Sequence, residues 1–113
     1  MTLRRIDKSQ WTGFCTLLTT ELIGKRAEIE IASADLGVQI EARWLPVIGL
    51  TYDSRHDMFE ITLDGLDHMI HHPLELYAEF GSGGVESLAI VDTNAWQIVM
   101  LRDPLMLPPP TLG

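Results

Sequence analysis

Ala27-Glu28-Ile29-Glu30-Ile31 and, after a short interruption, Val38-Gln39-Ile40-Glu41-Ala42-Arg43-Trp44 are the stretches on which the fold turns. In both, apolar and polar residues alternate with a period of 2, which sends successive side chains to opposite faces of a β-strand. Between them Ala34-Asp35-Leu36-Gly37 has turn composition, so the pair reads as an antiparallel hairpin with one wet face.

Upstream the period is helical. Trp11, Phe14, Cys15, Leu18 and Leu22 fall on one stripe, predicting an amphipathic helix over 8–23. Asp7 suits its N-cap with Gln10 at N3, and Gly24 suits the left-handed position beyond its end. A helix this short and threonine-rich needs its Trp11/Phe14/Leu18 face packed on something.

Downstream, Pro46 has no N–H to give a ladder, so the chain is expected to bend or form an edge at Leu45-Pro46 before a strand resumes over 47–52. Strands follow over 58–63, 74–80, 85–92 and 96–102, separated by Asp53 to Asp57, Asp64-Gly65, Gly81-Ser82-Gly83-Gly84 and Thr93-Asn94-Ala95. Leu66, Met69 and Ile70 fit one helical turn, which Pro73 stops. The expected class is α+β: the N-terminal helix packed on a curved antiparallel sheet or small barrel of about six strands, in an Sm-like or SH3-like element order. Residues 1–105 are expected to form one domain and 106–113, rich in proline, a tail.

The 113 residues are 46% apolar, with three Trp, three Phe and two Tyr to anchor a core. Sixteen acids against eight Lys and Arg give a formal charge of −8. That charge repels phosphate backbones and anionic lipid, so nucleic acid and membrane are not expected partners. Residues 1–27 hold five of the eight basic side chains against two acids, so the acid belongs to the strand region. The opening lacks the apolar run of an export signal, no stretch has the ~18–20 apolar residues of a membrane helix, and the lone Cys15 closes no intrachain disulfide. A cytoplasmic location is the expectation.

Asp67-His68-x-x-His71-His72 is the one metal-capable run. On a helical turn, His68 and His72 share a face at i, i+4, beside Asp67. Neither an HExxH motif nor a cysteine pair completes it. Cys15 lies on the apolar stripe as a small hydrophobe, and Ser54, His56 and Asp57 sit too close in one turn to form a triad. Gly81-Ser82-Gly83-Gly84 has no phosphate-loop pattern, and Glu28/Glu30 and Glu75/Glu79 occupy polar strand faces. No catalytic residue and no cofactor is assigned.

Trp11-x-x-Phe14, the Glu28-Ile29-Glu30 strand, Trp44-Leu45-Pro46-x-x-Gly49-Leu50-Thr51-Tyr52-Asp53, Gly65-Leu66-Asp67-His68-x-Ile70-x-His72-Pro73 and Leu101-Arg102-Asp103-Pro104-Leu105 together resemble a bacterial family known only as a domain of unknown function. The resemblance implies a small, soluble, stand-alone bacterial protein and carries over no activity, cofactor or site residue. The residues themselves point to a non-enzymatic interaction or structural module that self-associates through an exposed apolar strand edge, with Trp44, Pro46 and Tyr52 as partner-binding candidates and a homo-oligomer or other protein as partner. The alternative is a metal-binding protein or metal-dependent enzyme using Asp67, His68 and His72. Single-stranded RNA binding, suggested by element order, is opposed by the missing basic groove.

Overall fold

A computed structural model describes residues 1–103, so the tail expected over 106–113 lies outside the described residues. The chain forms β1 (Thr2–Ile6), a single 3-10 turn (Lys8–Gln10), α1 (Trp11–Leu22), β2 (Arg26–Ser33), β3 (Gly37–Asp53), β4 (Met58–Leu63), β5 (Leu66–His71), β6 (Glu75–Gly81), β7 (Gly84–Val91) and β8 (Ala95–Arg102). All pairings are antiparallel, in the order β1-β6-β7-β8-β2-β3-β4-β5, with β1 and β5 at the free ends.

The α+β expectation holds in its coarse form, and of the two alternatives, curved sheet or small barrel, the sheet is open; it is corrected in strand number, eight instead of about six, and in element order, since a strand precedes the helix. The basic opening supplies β1, where Ile6 pairs with Leu76 and Arg5 with Tyr77. The run 66–72 is a strand, not a helical turn. Asp64-Gly65, with Gly65 at φ 85°, makes a tight hairpin after β4, so Leu66, His68 and Ile70 line up with Leu63, Ile61 and Phe59. That pairing buries Ile70 beside Phe59, a contact an isolated helical turn lacks.

Pro46 bends β3 without ending it. The first half of β3 pairs with β2 and the second half with β4, and Trp44 at the bend takes φ 54°, unusual for a bulky side chain. The Arg102 guanidinium lies 3.8 Å from the Trp44 ring centroid and braces it. The sheet folds back on itself at this bend. Ile29, Leu76, Leu88, Ile90 and Val99 from one part and Phe59, Ile61, Leu63 and Ile70 from the other share one core with Trp11, Cys15, Leu18 and Leu22 of α1.

The helix also acts as a surrogate strand. Beyond Val47 the second half of β3 has β4 on one side only, and Thr19 Oγ1 there donates to the Leu50 carbonyl at 2.7 Å and accepts from the Leu50 N–H at 3.2 Å. One hydroxyl thus satisfies two backbone groups that would otherwise form a raw sheet edge. The helix is shorter than 8–23 because its first turn is 3-10, and Asp7 caps that turn through the Ser9 N–H instead of entering a capping box with Gln10.

Candidate functional site

The expected metal residues are the first test of the site. On β5, Asp67 points to the exposed face and His68 inward, as strand geometry requires of neighbours. His68 Nε2 lies 2.5 Å from Gln97 Oε1, and since an amide oxygen only accepts, His68 is the donor. Gln97 Nε2 in turn donates to Asp92 Oδ2 at 2.8 Å, while Asp92 Oδ1 accepts from the Asn94 and Ala95 N–H groups. This line of bonds ties β5 to β8 across the core and uses His68 for attachment. His72 lies past the end of β5 in a left-handed conformation, φ 52°, with Nδ1 3.8 Å from Asp57 Oδ2. Asp67, His68 and His72 are therefore not gathered, and the i, i+4 face expected of them does not exist. Among the described residues no group of three or more His, Cys, Asp or Glu side chains is placed to hold a metal.

Of the expected partner-binding residues, Tyr52 is 7% exposed and belongs to the core. Its ring meets Trp11 edge-on, with centroids 5.1 Å apart, and Phe59 at 4.9 Å. Its hydroxyl donates to Asp57 Oδ1 at 2.6 Å, and Lys8 Nζ lies 3.2 Å from the same oxygen. Burial first, then the Asp57 bond, pushes the phenol up to about 12, while the Tyr52 hydroxyl and Lys8 hold the Asp57 carboxyl below its ordinary value. Ser54, His56 and Asp53 form a solvated turn in which Asp53 accepts from the Arg55 and His56 N–H groups and from the His56 ring. Cys15 is buried, and that burial raises its thiol to about 12.

Trp44 is half-buried and Pro46 exposed. Trp44 lines one end of a groove of about 780 Å³ that also contains Glu28, Glu79, Ile98, Met100 and Arg102. The groove runs onto the outer face of the five strands β6-β7-β8-β2-β3, turned away from the core. Registers across these strands generate three rows on that face. Glu75, Val91, Trp96, Ala32 and Val38 form the first, and Tyr77, Ala89, Ile98, Glu30 and Ile40 the second. The third is Glu79, Ser87, Met100 and Glu28, continued by Arg43, whose Nε lies 3.9 Å from Glu28 Oε1.

The centre of this face is apolar. Trp96 is 50% exposed, Val38 66% and Ile40 45%, and the Tyr77 ring stacks on Trp96 at 6.2 Å. The outer face of the other part is more polar: Thr51, Glu60, Thr62, Asp67 and His71 share it with Met58 and the 45% exposed Met69. Pattern reading missed Tyr77, Trp96, Ile98 and the Gln97–Asp92 pair. A signal for the face was present in Trp96-Gln97-Ile98-Val99-Met100-Leu101, where both alternate sets are largely apolar, the mark of a strand covered on two sides.

The model of the family of unknown function DUF5335 matches residues 2–110. The chain belongs to that family. An uncharacterised protein of Aquifex aeolicus (strain VF5) is 30% identical over 105 residues, spanning 92% of this chain and 95% of that protein. No solved structure matches the chain. No helix among the described residues of this DUF5335 member is long and apolar enough to cross a membrane.

Proposed function

We propose that this DUF5335 protein is a non-enzymatic interaction module that associates with a second copy of itself through the outer face of β6-β7-β8-β2-β3. The observation that carries the reading is that β8 carries apolar side chains on both sides: Val99 enters the core beside the bonded Gln97, while Trp96, Ile98 and Met100 point outward. Trp96, Val38 and Ile40 stand open on that side, whereas Glu28 near Trp44 is buried. Five strands about 4.8 Å apart, each about seven residues long, make a face on the order of 500 Å² in projection. A standard interface takes ~800 Å² of accessible surface per partner, and an aromatic centre with a charged rim is the usual anatomy of one.

Trp44 and Pro46 sit where this face ends at the bend, which keeps them in the proposed interaction surface, whereas Tyr52 contributes by holding the core. The expected exposed edge over 44–52 is closed by β4 on one side and by α1 on the other, so the proposed contact is face to face. A metal-binding role for Asp67, His68 and His72 has no comparable arrangement behind it.

Light scattering coupled to size exclusion tests the reading. The expected mass at high micromolar concentration is that of two chains, and Trp96→Glu is expected to return it to one chain with an unchanged circular dichroism spectrum. A strict monomer overturns the proposal.

A further inference from the structure

We propose that the two-fold axis of this pair runs along β8, so that Glu79 of one copy meets the partner's Arg43. The inference rests on the self-association reading above and adds the arrangement. A pair of identical chains meeting through one shared patch is related by a two-fold axis, and in face-to-face packing that axis lies in the interface plane. β8 is the middle strand of β6-β7-β8-β2-β3, the strands that carry the three rows, and β1 beyond β6 adds Leu3 and Arg5 at the margin of the same face. An axis along it exchanges β6 with β3 and β7 with β2 while leaving each row in place.

In the first row this sets Val91 against the partner's Ala32, with Trp96 near its own counterpart. In the second it sets Tyr77 against the partner's Ile40, two large side chains with apolar bodies. In the third it sets Glu79 against the partner's Arg43, twice by symmetry. Each of these two residues lies two strands from the axis, about 10 Å, and sheets packed face to face cross at only about 30°, a displacement long side chains span. Arg43 is free to take part, because its side chain is 68% exposed and its contact with Glu28 is long at 3.9 Å.

The competing axis, across the strands at the Ile98 row, fails on charge. It keeps β6 on β6 and lays Glu79 against the partner's Glu75, with Arg43 against the partner's Val38. Like charges opposed across an interface suppress that arrangement. Glu79 therefore meets an opposite charge in the first orientation and a like charge in the second, while Glu75 in the first and Arg43 in the second face the partner's Val38.

A charge-swap series measured by concentration-dependent size exclusion tests the axis. Glu79→Arg and Arg43→Glu are each expected to weaken dimerisation at least about tenfold, and the chain carrying both changes is expected to return to within about threefold of the original. Because Arg43→Glu also removes the Glu28 partner, a second measurement uses a chain with Glu79→Cys and Arg43→Cys. Within one copy these sites lie four strands, roughly 19 Å, apart, so a thiol-reactive bifunctional reagent spanning about 10 Å, the spacing of packed sheets, links them only between copies, and dimeric crosslinked product is expected. A dimer that Trp96→Glu dissociates, but that shows neither swap rescue nor crosslink, overturns the axis and leaves the outer-face reading standing. A monomeric wild-type chain, or a dimer indifferent to Trp96→Glu, overturns both.

Discussion

Replacing Thr19 by valine removes one oxygen and keeps the shape of the side chain. In the native protein that oxygen serves the Leu50 N–H and the Leu50 carbonyl together, at 3.2 and 2.7 Å, on the side of β3 that has no neighbouring strand. Leu50 itself is buried, so neither backbone group finds bulk water readily once the hydroxyl is gone. A buried polar group left without a partner costs about 1–3 kcal/mol. Thr19 is only half-buried, which admits some solvent and places the expected loss for the pair near the lower end, about 1–2 kcal/mol. For a chain of 113 residues the unfolding entropy is roughly 0.24 kcal/mol per kelvin, so the melting temperature is expected to fall by about 4–8 °C. Urea unfolding of Thr19→Val beside Thr19→Ser is the assay. The serine variant keeps the oxygen and is expected to lose less than half as much. A valine variant within about 0.5 kcal/mol of wild type, or a serine variant equally destabilised, refutes the view that the hydroxyl closes the edge of β3.

Two further outcomes follow from the site geometry. The Asp57 carboxyl titrates below its ordinary value of 3.8 in the folded protein. It therefore binds fewer protons folded than unfolded, stabilises the fold above that value, and loses its contribution as pH falls through the lowered folded value. Asp57→Asn is expected to flatten the acid limb of a stability-against-pH curve, and an unchanged limb contradicts the Tyr52 and Lys8 contacts. Gln97→Leu breaks both bonds of the His68–Gln97–Asp92 line and is expected to cost about 1–3 kcal/mol, much of it recovered in Gln97→Leu with His68→Leu. A double-mutant cycle in urea checks this, and strict additivity of the two changes excludes the link between β5 and β8.

Much of the fold is legible locally. The Trp11-Phe14-Cys15-Leu18-Leu22 stripe and Gly24 and Gly65 at their left-handed positions each depend on a few neighbouring residues and appear where the pattern puts them; the alternation in 27–31 and 38–44 gives the two strands, but register shifts around Ile29 set Val38 and Ile40 on the face of Glu30, so the single wet face expected of the hairpin is not formed. The run 66–72 is different. Leu66, Met69 and Ile70 satisfy a helical turn as well as Leu66, His68 and Ile70 satisfy a strand, and seven residues are too few to separate the periods. The hairpin to β4 decides it by burying Ile70 on Phe59, and with that choice Asp67 and His68 pass to opposite faces and the i, i+4 metal face vanishes. β1 was illegible for a related reason: Thr2-Leu3-Arg4-Arg5-Ile6 has little apolar alternation of its own and is a strand because β6 offers it an edge.

What the sequence determined by itself is the set of two-faced elements and their turns, together with a β8 that carries apolar side chains on both sides. Which side of β8 is left open was decided only in the tertiary structure. The bend at Trp44 folds the β4-β5 end of the sheet onto one face, and α1 is spent closing the β3 edge through Thr19, so among the described residues no element remains to cover Trp96 and its neighbours Tyr77 and Ile98. Periodicity is a property of neighbouring residues, whereas cover is a property of the elements left over once every other face and edge has been satisfied.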